Sequence, residues 1–171
     1  MPYAMDAFGC SAVTPSSGII VGGHRHDMGV ISTIYLFTSE SQTLTEISAL
    51  ERNTKEKTCK KLKLSTGRPV VLCTLGIMSG NSVATGETYV YDIMAETFDR
   101  KAEWDFPNSL VTGGYRSHSI DNRMLVQTPS GMFLFKDNET STDTSSKWFK
   151  IGDWDLGYSA PFNLRYVVPE P

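Results

Sequence analysis

One segment of the sequence contains Val21-Gly22-Gly23, Thr33-Ile34-Tyr35-Leu36-Phe37-Thr38 and Gln42-Thr43-Leu44. A similar segment follows 54 positions later, with Leu75-Gly76-Ile77, Glu87-Thr88-Tyr89-Val90-Tyr91-Asp92 and Glu96-Thr97-Phe98 at the corresponding places. The shift places Gly22 on Gly76 and Tyr35 on Tyr89. Self-similarity with a period of about 50 residues is typical of repeat architectures, in which each unit buries apolar surface against its neighbours. The sequence therefore predicts a repeat protein, a class in which loops on a rigid frame mostly bind other molecules.

A third match extends the pattern towards the C-terminus. Residues 13–21 (Val-Thr-Pro-Ser-Ser-Gly-Ile-Ile-Val) resemble residues 126–134 (Val-Gln-Thr-Pro-Ser-Gly-Met-Phe-Leu), and this shift of 113 places Tyr35 on Trp148. In both segments a turn with Pro, Ser and Gly separates two apolar runs, and its glycine can adopt the positive φ of a tight hairpin. We divide the single region 1–171 into approximate units at 9–64, 65–121 and 122–171.

Short runs rich in Val, Ile, Tyr, Phe and Thr lie between clusters of Gly, Ser, Asn, Asp and Pro, which is typical of strands joined by turns. No window holds a helical apolar pattern for three turns. Strands are predicted at residues 9–14, 18–22, 32–38, 43–48, 59–64, 69–75, 88–93, 97–104, 124–128, 132–135, 147–151 and 163–168. Each unit would form a four-stranded antiparallel sheet whose two apolar faces are buried only by stacking. We therefore predict an all-β fold of about three stacked sheets.

The repeat resembles that of Kelch-type β-propellers. A Kelch repeat carries a glycine pair at the end of its second strand and a tyrosine on its third strand. Gly22-Gly23 and Tyr35 match this pattern in the first unit, and Gly76 and Tyr91 match it in the second. The resemblance implies that each unit is one blade, and that the chain presents the loops between its strands to a partner.

The resemblance covers most of residues 9–151, with departures at Ile77 and at Phe135-Lys136, which stand where glycines are expected. Propellers have 4–8 blades, and a Kelch blade takes roughly 50 residues. The sequence supplies enough residues for about three. We therefore expect an incomplete ring, to which a longer chain or another subunit contributes further blades.

Composition argues against two classes of partner. The net charge is −3 and the pI is about 5.6, so the chain lacks the basic surface that a nucleic-acid-binding protein needs. No apolar run approaches the ~20 residues of a membrane-spanning helix. We expect neither nucleic acid nor a membrane as a partner.

The cysteines bear on the compartment. Cys10, Cys59 and Cys73 are odd in number and form no C-x-x-C motif, which favours free thiols over a disulfide framework. With no visible signal peptide, this predicts a cytoplasmic protein. The triplet Asn138-Glu139-Thr140 matches the N-glycosylation pattern and points weakly the other way.

Two histidines flank an arginine directly after the first glycine pair. In an extended segment His24 and His26 point the same way, which is half of a metal site. A zinc site needs more ligands, and the remaining histidine, His118, is distant in sequence. We therefore predict a polar loop whose His24, Arg25 and His26 contact a partner, with no metal.

A second glycine pair precedes Tyr115, Arg116 and His118, which we interpret as a connecting loop and as further partner-contacting residues. A serine-hydrolase triad of Ser117 or Ser119 with His118 and Asp121 is not expected, because residues one or two positions apart do not generally reach its geometry. A basic run is interpreted as a solvated strand edge, or as a patch for an acidic partner, and comprises Lys55, Lys57, Lys60, Lys61 and Lys63.

These observations favour a non-catalytic protein-interaction module without a cofactor. The binding loops would lie near 23–31, 77–86 and 107–121. Two alternatives stay open: a galactose-oxidase-like propeller enzyme, which would hold copper with tyrosine, cysteine and histidine ligands, and a structural propeller fragment that needs missing blades.

Overall fold

The computed structural model describes residues 4–80, 83–111, 114–142 and 146–153. The strand predicted at 163–168 lies outside these residues. The described part is almost entirely β-structure, with two single 3-10 turns at Ala102–Trp104 and Asn108–Leu110. All strand pairs are antiparallel, and they form three sheets of four or five strands plus one two-stranded ribbon. The predicted all-β fold is confirmed.

Sheet 1 is built from the N-terminal third of the chain. Its strands are β1 (Met5–Asp6), β2 (Gly9–Thr14), β3 (Ser17–Arg25), β4 (Gly29–Thr38) and β5 (Thr43–Ala49). Strands β2 to β5 follow one another across the sheet as a meander, and β1 pairs with the end of β3 beside β2. A bulge interrupts the β3–β4 register between Val21 and Gly23. Gly22 occupies it with φ +58°, a conformation that glycine adopts without strain.

Sheets 2 and 3 repeat the four-stranded meander. Sheet 2 contains β7 (Thr58–Lys63), β8 (Pro69–Thr74), β10 (Tyr89–Asp92) and β11 (Thr97–Arg100). Sheet 3 contains β12 (Arg116–Ile120), β13 (Arg123–Thr128), β14 (Gly131–Phe135) and β15 (Trp148–Gly152). The ribbon joins β6 (Thr54–Lys55) to β9 (Ile77–Met78).

Sheet 2 lies between the other two, and both of its faces are covered. Towards sheet 1 the buried cluster consists of Val13, Ile19, Val21, Ile34, Leu50, Cys59, Val71, Cys73, Tyr89 and Tyr91. Towards sheet 3 it consists of Leu62, Val70, Leu72, Leu75, Val90, Phe106, Val111, Met124, Val126, Phe133, Phe135 and Trp148. The sheets therefore form a stack with two apolar interfaces, and the described residues do not close it into a ring.

The first strands of the three meanders run side by side in the same direction. The Lys61 ammonium donates to the Val13 carbonyl at 2.6 Å, and the Thr58 and Ser117 hydroxyls are 3.0 Å apart. All three sheets are thus oriented alike. We call the end at which β2, β7 and β12 begin the loop end, because the described residues of the connections 50–57, 75–88 and 101–115 lie there. The opposite end, with mostly tight turns, is the turn end.

Strand pairing differs from the unit boundaries at 64 and 121. Strand β7 falls within 9–64 but pairs with β8, and β12 falls within 65–121 but pairs with β13. The segment around Arg116, interpreted as a loop, is the first strand of sheet 3. Its polar sequence Arg-Ser-His-Ser has no apolar alternation, because both of its faces are partly exposed.

The shift of 113 does not relate equivalent strands. Tyr35 and Tyr89 both lie on the third strand of their meander, opposite Ile20 and Cys73 respectively. Trp148 instead begins the fourth strand of sheet 3. Its side chain is fully buried and packs on the apolar cluster towards sheet 2.

The expectation of free thiols is wrong for two of the three cysteines. Cys59 and Cys73 are directly opposite on β7 and β8, with Cα atoms 4.1 Å apart, and they form a disulfide. Antiparallel register brings them together, which spacing in the sequence does not reveal. Cys10 is free and exposed.

Sheet 1 turns one face away from sheet 2. On this outer face Ile20, Ile31 and Tyr35 are buried under partly exposed Met5, Phe8, Phe37 and Leu44. Beside them runs a groove with an apolar floor, lined by Phe8, Cys10, Ala12, Ile20 and Phe37 among others. In the part of the chain that the structure describes, no further sheet covers it.

Among those same residues, no helix has the length and apolar character that crossing a membrane requires.

Candidate functional site

The predicted binding loops gather at the loop end. The β3–β4 turn at 26–28 and the β8–β10 connection at 75–88 both join a second strand to a third strand. The segment 101–115 joins sheet 2 to sheet 3 and begins there too. Since the sheets are oriented alike, these connections face the same side. Of the stretch 107–121, only the part before Arg116 belongs to this surface, because β12 then runs towards the turn end.

Two of the long connections are fastened to each other at Gly86. The Phe106 amide donates to the Gly86 carbonyl at 2.9 Å, and the Gly86 amide donates to the Asn108 side-chain oxygen at 2.7 Å. A Cβ atom at residue 86 would lie 1.7 Å from the Phe106 carbonyl oxygen. Glycine is therefore required for this close approach, and it holds the loops as one rigid unit.

Tyr115, Arg116 and His118 occupy different environments at the start of sheet 3. The Tyr115 hydroxyl donates to the Glu56 carbonyl at 2.8 Å, and burial raises the pKa of this phenol. Arg116 is exposed at the loop end, while His118 is half-buried within β12. Tyr115 thus anchors two connections together, and Arg116 is the most exposed residue of the three.

Arg25 is not the exposed residue that the sequence suggested. Its guanidinium forms a two-pronged pair with Asp27, with N–O distances of 3.0 and 2.6 Å, and lies 3.5 Å from the Tyr35 hydroxyl. The hydrogen bonds from Arg25 lower the pKa of Asp27. Only 12% of the Arg25 side chain is exposed. Arg25 covers the outer face of sheet 1.

His24 and His26 project from the side opposite Arg25, because side chains alternate along a strand. There they meet Asp6, which sequence reasoning did not single out. Asp6 Oδ1 lies 3.4 Å from His24 Nδ1, and Asp6 Oδ2 lies 3.3 Å from His26 Nε2. Strand β1 places Asp6 directly opposite His24. A two-residue strand gives no periodicity, so the sequence offered no signal for this pairing.

A buried lysine at the loop end was also missed. Lys57, assigned to a solvated basic run, is 4% exposed. Its ammonium donates to the Glu87 carbonyl at 2.7 Å and lies 5.1 Å from the centre of the Tyr89 ring. Burial lowers the pKa of Lys57 to about 7, and the Glu87 carboxylate offsets part of this shift.

Arg100 and Asp105 form a half-buried ion pair beside Lys57. Two N–O distances of 2.6 Å join them, and the Asp105 hydrogen bonds raise the pKa of Arg100. Asp105 also accepts from the Thr88 amide at 2.8 Å. Arg100 stacks over the Tyr89 ring at 5.3 Å from its centre. These interactions connect β10, β11 and the segment after β11 at the loop end.

A scan against models of protein families finds no match to this sequence, and no curated protein matches it either. Function must therefore be inferred from the residues and their geometry.

Proposed function

We propose that this chain is a non-catalytic protein-interaction module built of propeller-type blades that resemble Kelch repeats. The partner would bind at the loop end. The observation that carries the proposal is the convergence of the connections 26–28, 75–88 and 101–115 on one side of a stack of sheets. Rigid sheets that present several connections on one side are a common frame for binding surfaces.

The chemistry of this surface suits a protein partner. Met28 is 65% exposed and Val83 is 49% exposed, and both belong to loop-end connections. Arg116 adds an exposed guanidinium. Methionine, aromatic and arginine side chains are enriched at protein interfaces, where a few of them contribute most of the binding energy. Hydrogen bonds beneath the surface at Gly86 and Tyr115 limit the entropy lost on binding.

Matched substitutions at the two ends test the proposal. Arg116→Ala and Met28→Ser change the loop end, whereas Arg123→Ala and Met94→Ser change exposed residues of the same types at the turn end. We expect all four variants to unfold like the wild type. Proximity labelling in cells should lose its strongest labelled protein with the loop-end variants only. Equal loss with both pairs, or loss with the turn-end pair alone, would contradict the proposal.

The galactose-oxidase-like alternative requires copper with tyrosine, cysteine and histidine ligands. Cys59 and Cys73 are bonded to each other, so Cys10 is the remaining thiol. Cys10 pairs with Ile20 on the outer face of sheet 1, whereas His24 projects from the opposite face. We therefore favour the non-catalytic function. Stoichiometric copper whose binding is lost in Cys10→Ser would favour the enzyme instead.

A second candidate function is completion of a larger propeller, and the uncovered outer face of sheet 1 favours it. The equivalent face of sheet 2, with Cys73 and Tyr89, is covered by sheet 1. A further sheet from another chain would cover Ile20 and Phe37 in the same way. The exposed Cys10 thiol reports this directly: its alkylation rate should fall when such a chain is added and stay unchanged with an unrelated β-protein.

A cytoplasmic location stays a prediction. Disulfides are rare in the cytosol of most organisms, so the state of Cys59 and Cys73 in cells bears on it. Rapid alkylation of cell extracts, followed by mass spectrometry, should find both thiols reduced if the protein is cytoplasmic. Recovery of the bonded pair from cells would argue for an oxidising compartment.

A further inference from the structure

We propose that Asp6, His24 and His26 form a binding site for a divalent transition-metal ion of the Zn²⁺ class. The three ligand atoms lie within 4.8 Å of one another. Imidazole nitrogen and carboxylate oxygen are ligands that Zn²⁺ accepts, and two imidazoles favour transition metals over Mg²⁺ or Ca²⁺. The site does not depend on the function proposed above.

The distances fit a metal coordination sphere. Tetrahedral zinc with bonds of about 2.0–2.1 Å places neighbouring ligand atoms about 3.4 Å apart. His24 Nδ1 lies 3.4 Å from Asp6 Oδ1, and His26 Nε2 lies 3.3 Å from Asp6 Oδ2, so each imidazole is already at this separation from one oxygen of the carboxylate. The two imidazole rings, with centroids 5.8 Å apart and an interplanar angle of 44°, have to approach only slightly. Small rotations about side-chain bonds complete the set.

The backbone beneath the ligands is fixed. Asp6 pairs with His24 in the β1–β3 ladder, and the His26 amide donates to the Ala4 carbonyl at 3.1 Å. Gly23 permits this pairing, since a Cβ atom there would lie 2.7 Å from the Phe8 Cβ and 2.9 Å from the Asp6 carbonyl oxygen. Asp6 and His24 thus lie on paired strands, which hold a site more precisely than a loop, and His26 directly follows β3 at the start of the turn 26–28.

The remaining coordination positions face solvent. The side chains of His24, Asp6 and His26 are 41%, 60% and 62% exposed. Three protein ligands with an open position are the arrangement of zinc sites that keep water or accept a further ligand. An ion there would also link β1 to β3, which stabilises the pairing that covers the outer face of sheet 1.

Calorimetric titration of the full chain with ZnCl₂, without a histidine tag, tests the proposal. We expect one ion per chain. The variants His24→Ala, His26→Ala and Asp6→Asn should each weaken binding at least about tenfold. The control variants His118→Ala and Cys10→Ser remove the third histidine and the free thiol, and they should bind Zn²⁺ like the wild type.

An NMR measurement needs no substitution, and it covers the case that a variant does not fold. Adding Zn²⁺ to the wild type should shift the imidazole signals of His24 and His26 and leave those of His118 unchanged. It should also slow amide exchange at Asp6 and His24, which pair between β1 and β3. Absence of stoichiometric binding, or equal binding after loss of both His24 and His26, would overturn the proposal.

Discussion

Tyr35 and Tyr89 hold the same position in two successive sheets, yet they are buried by different means. Tyr89 is covered by sheet 1, stacks on Phe98 with centroids 5.5 Å apart, and accepts a hydrogen bond from the Glu51 amide at 3.0 Å. Tyr35 lies on the outer face, where Arg25 and scattered apolar side chains cover it. Both side chains are almost fully buried, with 2% of Tyr89 and 6% of Tyr35 exposed.

The comparison shows two ways of burying the same position of a four-stranded meander. In sheet 2 this position is covered by the neighbouring sheet. In sheet 1 the extra strand β1 brings Met5 over the apolar face, and the paired Arg25 and Asp27 make the surface polar. We call β1, Arg25 and Asp27 the cap of sheet 1. The cap covers Tyr35 but leaves the neighbouring groove uncovered.

The largest expected loss of stability comes from replacing each tyrosine by alanine, and it should differ between the two positions. Tyr89→Ala should lower the free energy of unfolding by about 3–5 kcal/mol, because a rigid sheet on each side prevents collapse of the cavity. Tyr35→Ala should cost clearly less, since long side chains can fold into the space. Urea unfolding followed by fluorescence measures both. Equal losses would mean that the outer face is packed as tightly as an inner one.

The next largest expected loss of stability comes from removing the disulfide opposite Tyr89, which has no counterpart opposite Tyr35. Cys73 faces Tyr89 and is bonded to Cys59, whereas Ile20 faces Tyr35. Replacing both bonded cysteines by alanine should cost about 3 kcal/mol, the value for a closed loop of roughly 15 residues. Cys10→Ser is the control and should change nothing. If a reducing agent leaves the wild-type unfolding midpoint unchanged, this expectation is wrong.

The basic partners of the tyrosines provide a pH test. The pKa of Lys57 is about 7 when folded, against 10.5 for an ordinary lysine. Between these values the unfolded chain binds the extra proton, so the free energy of unfolding rises with pH, by roughly 1.4 kcal/mol per pH unit from this group. By pH 7 this gain is lost, because below that value the folded chain also holds the proton on the buried amine and the slope vanishes. Lys57→Met should remove this slope; parallel curves for the two proteins would contradict it.

Arg25→Ala should have the smallest effect. Its partner Asp27 is 60% exposed, so solvent and salt screen the pair. The melting temperature should fall less than for Tyr35→Ala, and the difference from the wild type should shrink in 1 M NaCl. A matched change at the covered tyrosine, Arg100→Ala, should cost more. A loss with Arg25→Ala as large as with Tyr35→Ala would assign Arg25 a larger part in the cap.

Apolar strands were predictable from the sequence, because burial on one or both faces leaves a local pattern. Strands β2, β8 and β13 were found close to their true bounds. The predicted strand at 97–104 ends at Arg100 instead, and a 3-10 turn follows it. Strand β12 was missed because polar residues fill it.

The candidate sites were harder to predict, since they depend on pairing between distant residues. Asp6 joins the two histidines only through the β1–β3 register. Lys57 is buried only because the connections 75–88 and 101–115 fold over it, and a lysine in a basic run otherwise indicates solvent. Arg25 was predicted at the surface because it lies in a polar segment, and its contacts with Asp27 and Tyr35 leave no pattern in the sequence. Contacts between residues that are distant in the sequence leave no local pattern of apolar and polar residues from which they could be predicted.

Each four-stranded meander consists of one continuous piece of chain. Its ladders therefore close over short sequence distances, which keeps the contact order low for a β-protein and favours rapid formation of each piece. It also means that duplicating or deleting one whole piece severs few hydrogen bonds in the others. A chain of this kind can gain or lose a whole four-stranded meander during evolution while the strand pairing inside the remaining meanders is kept.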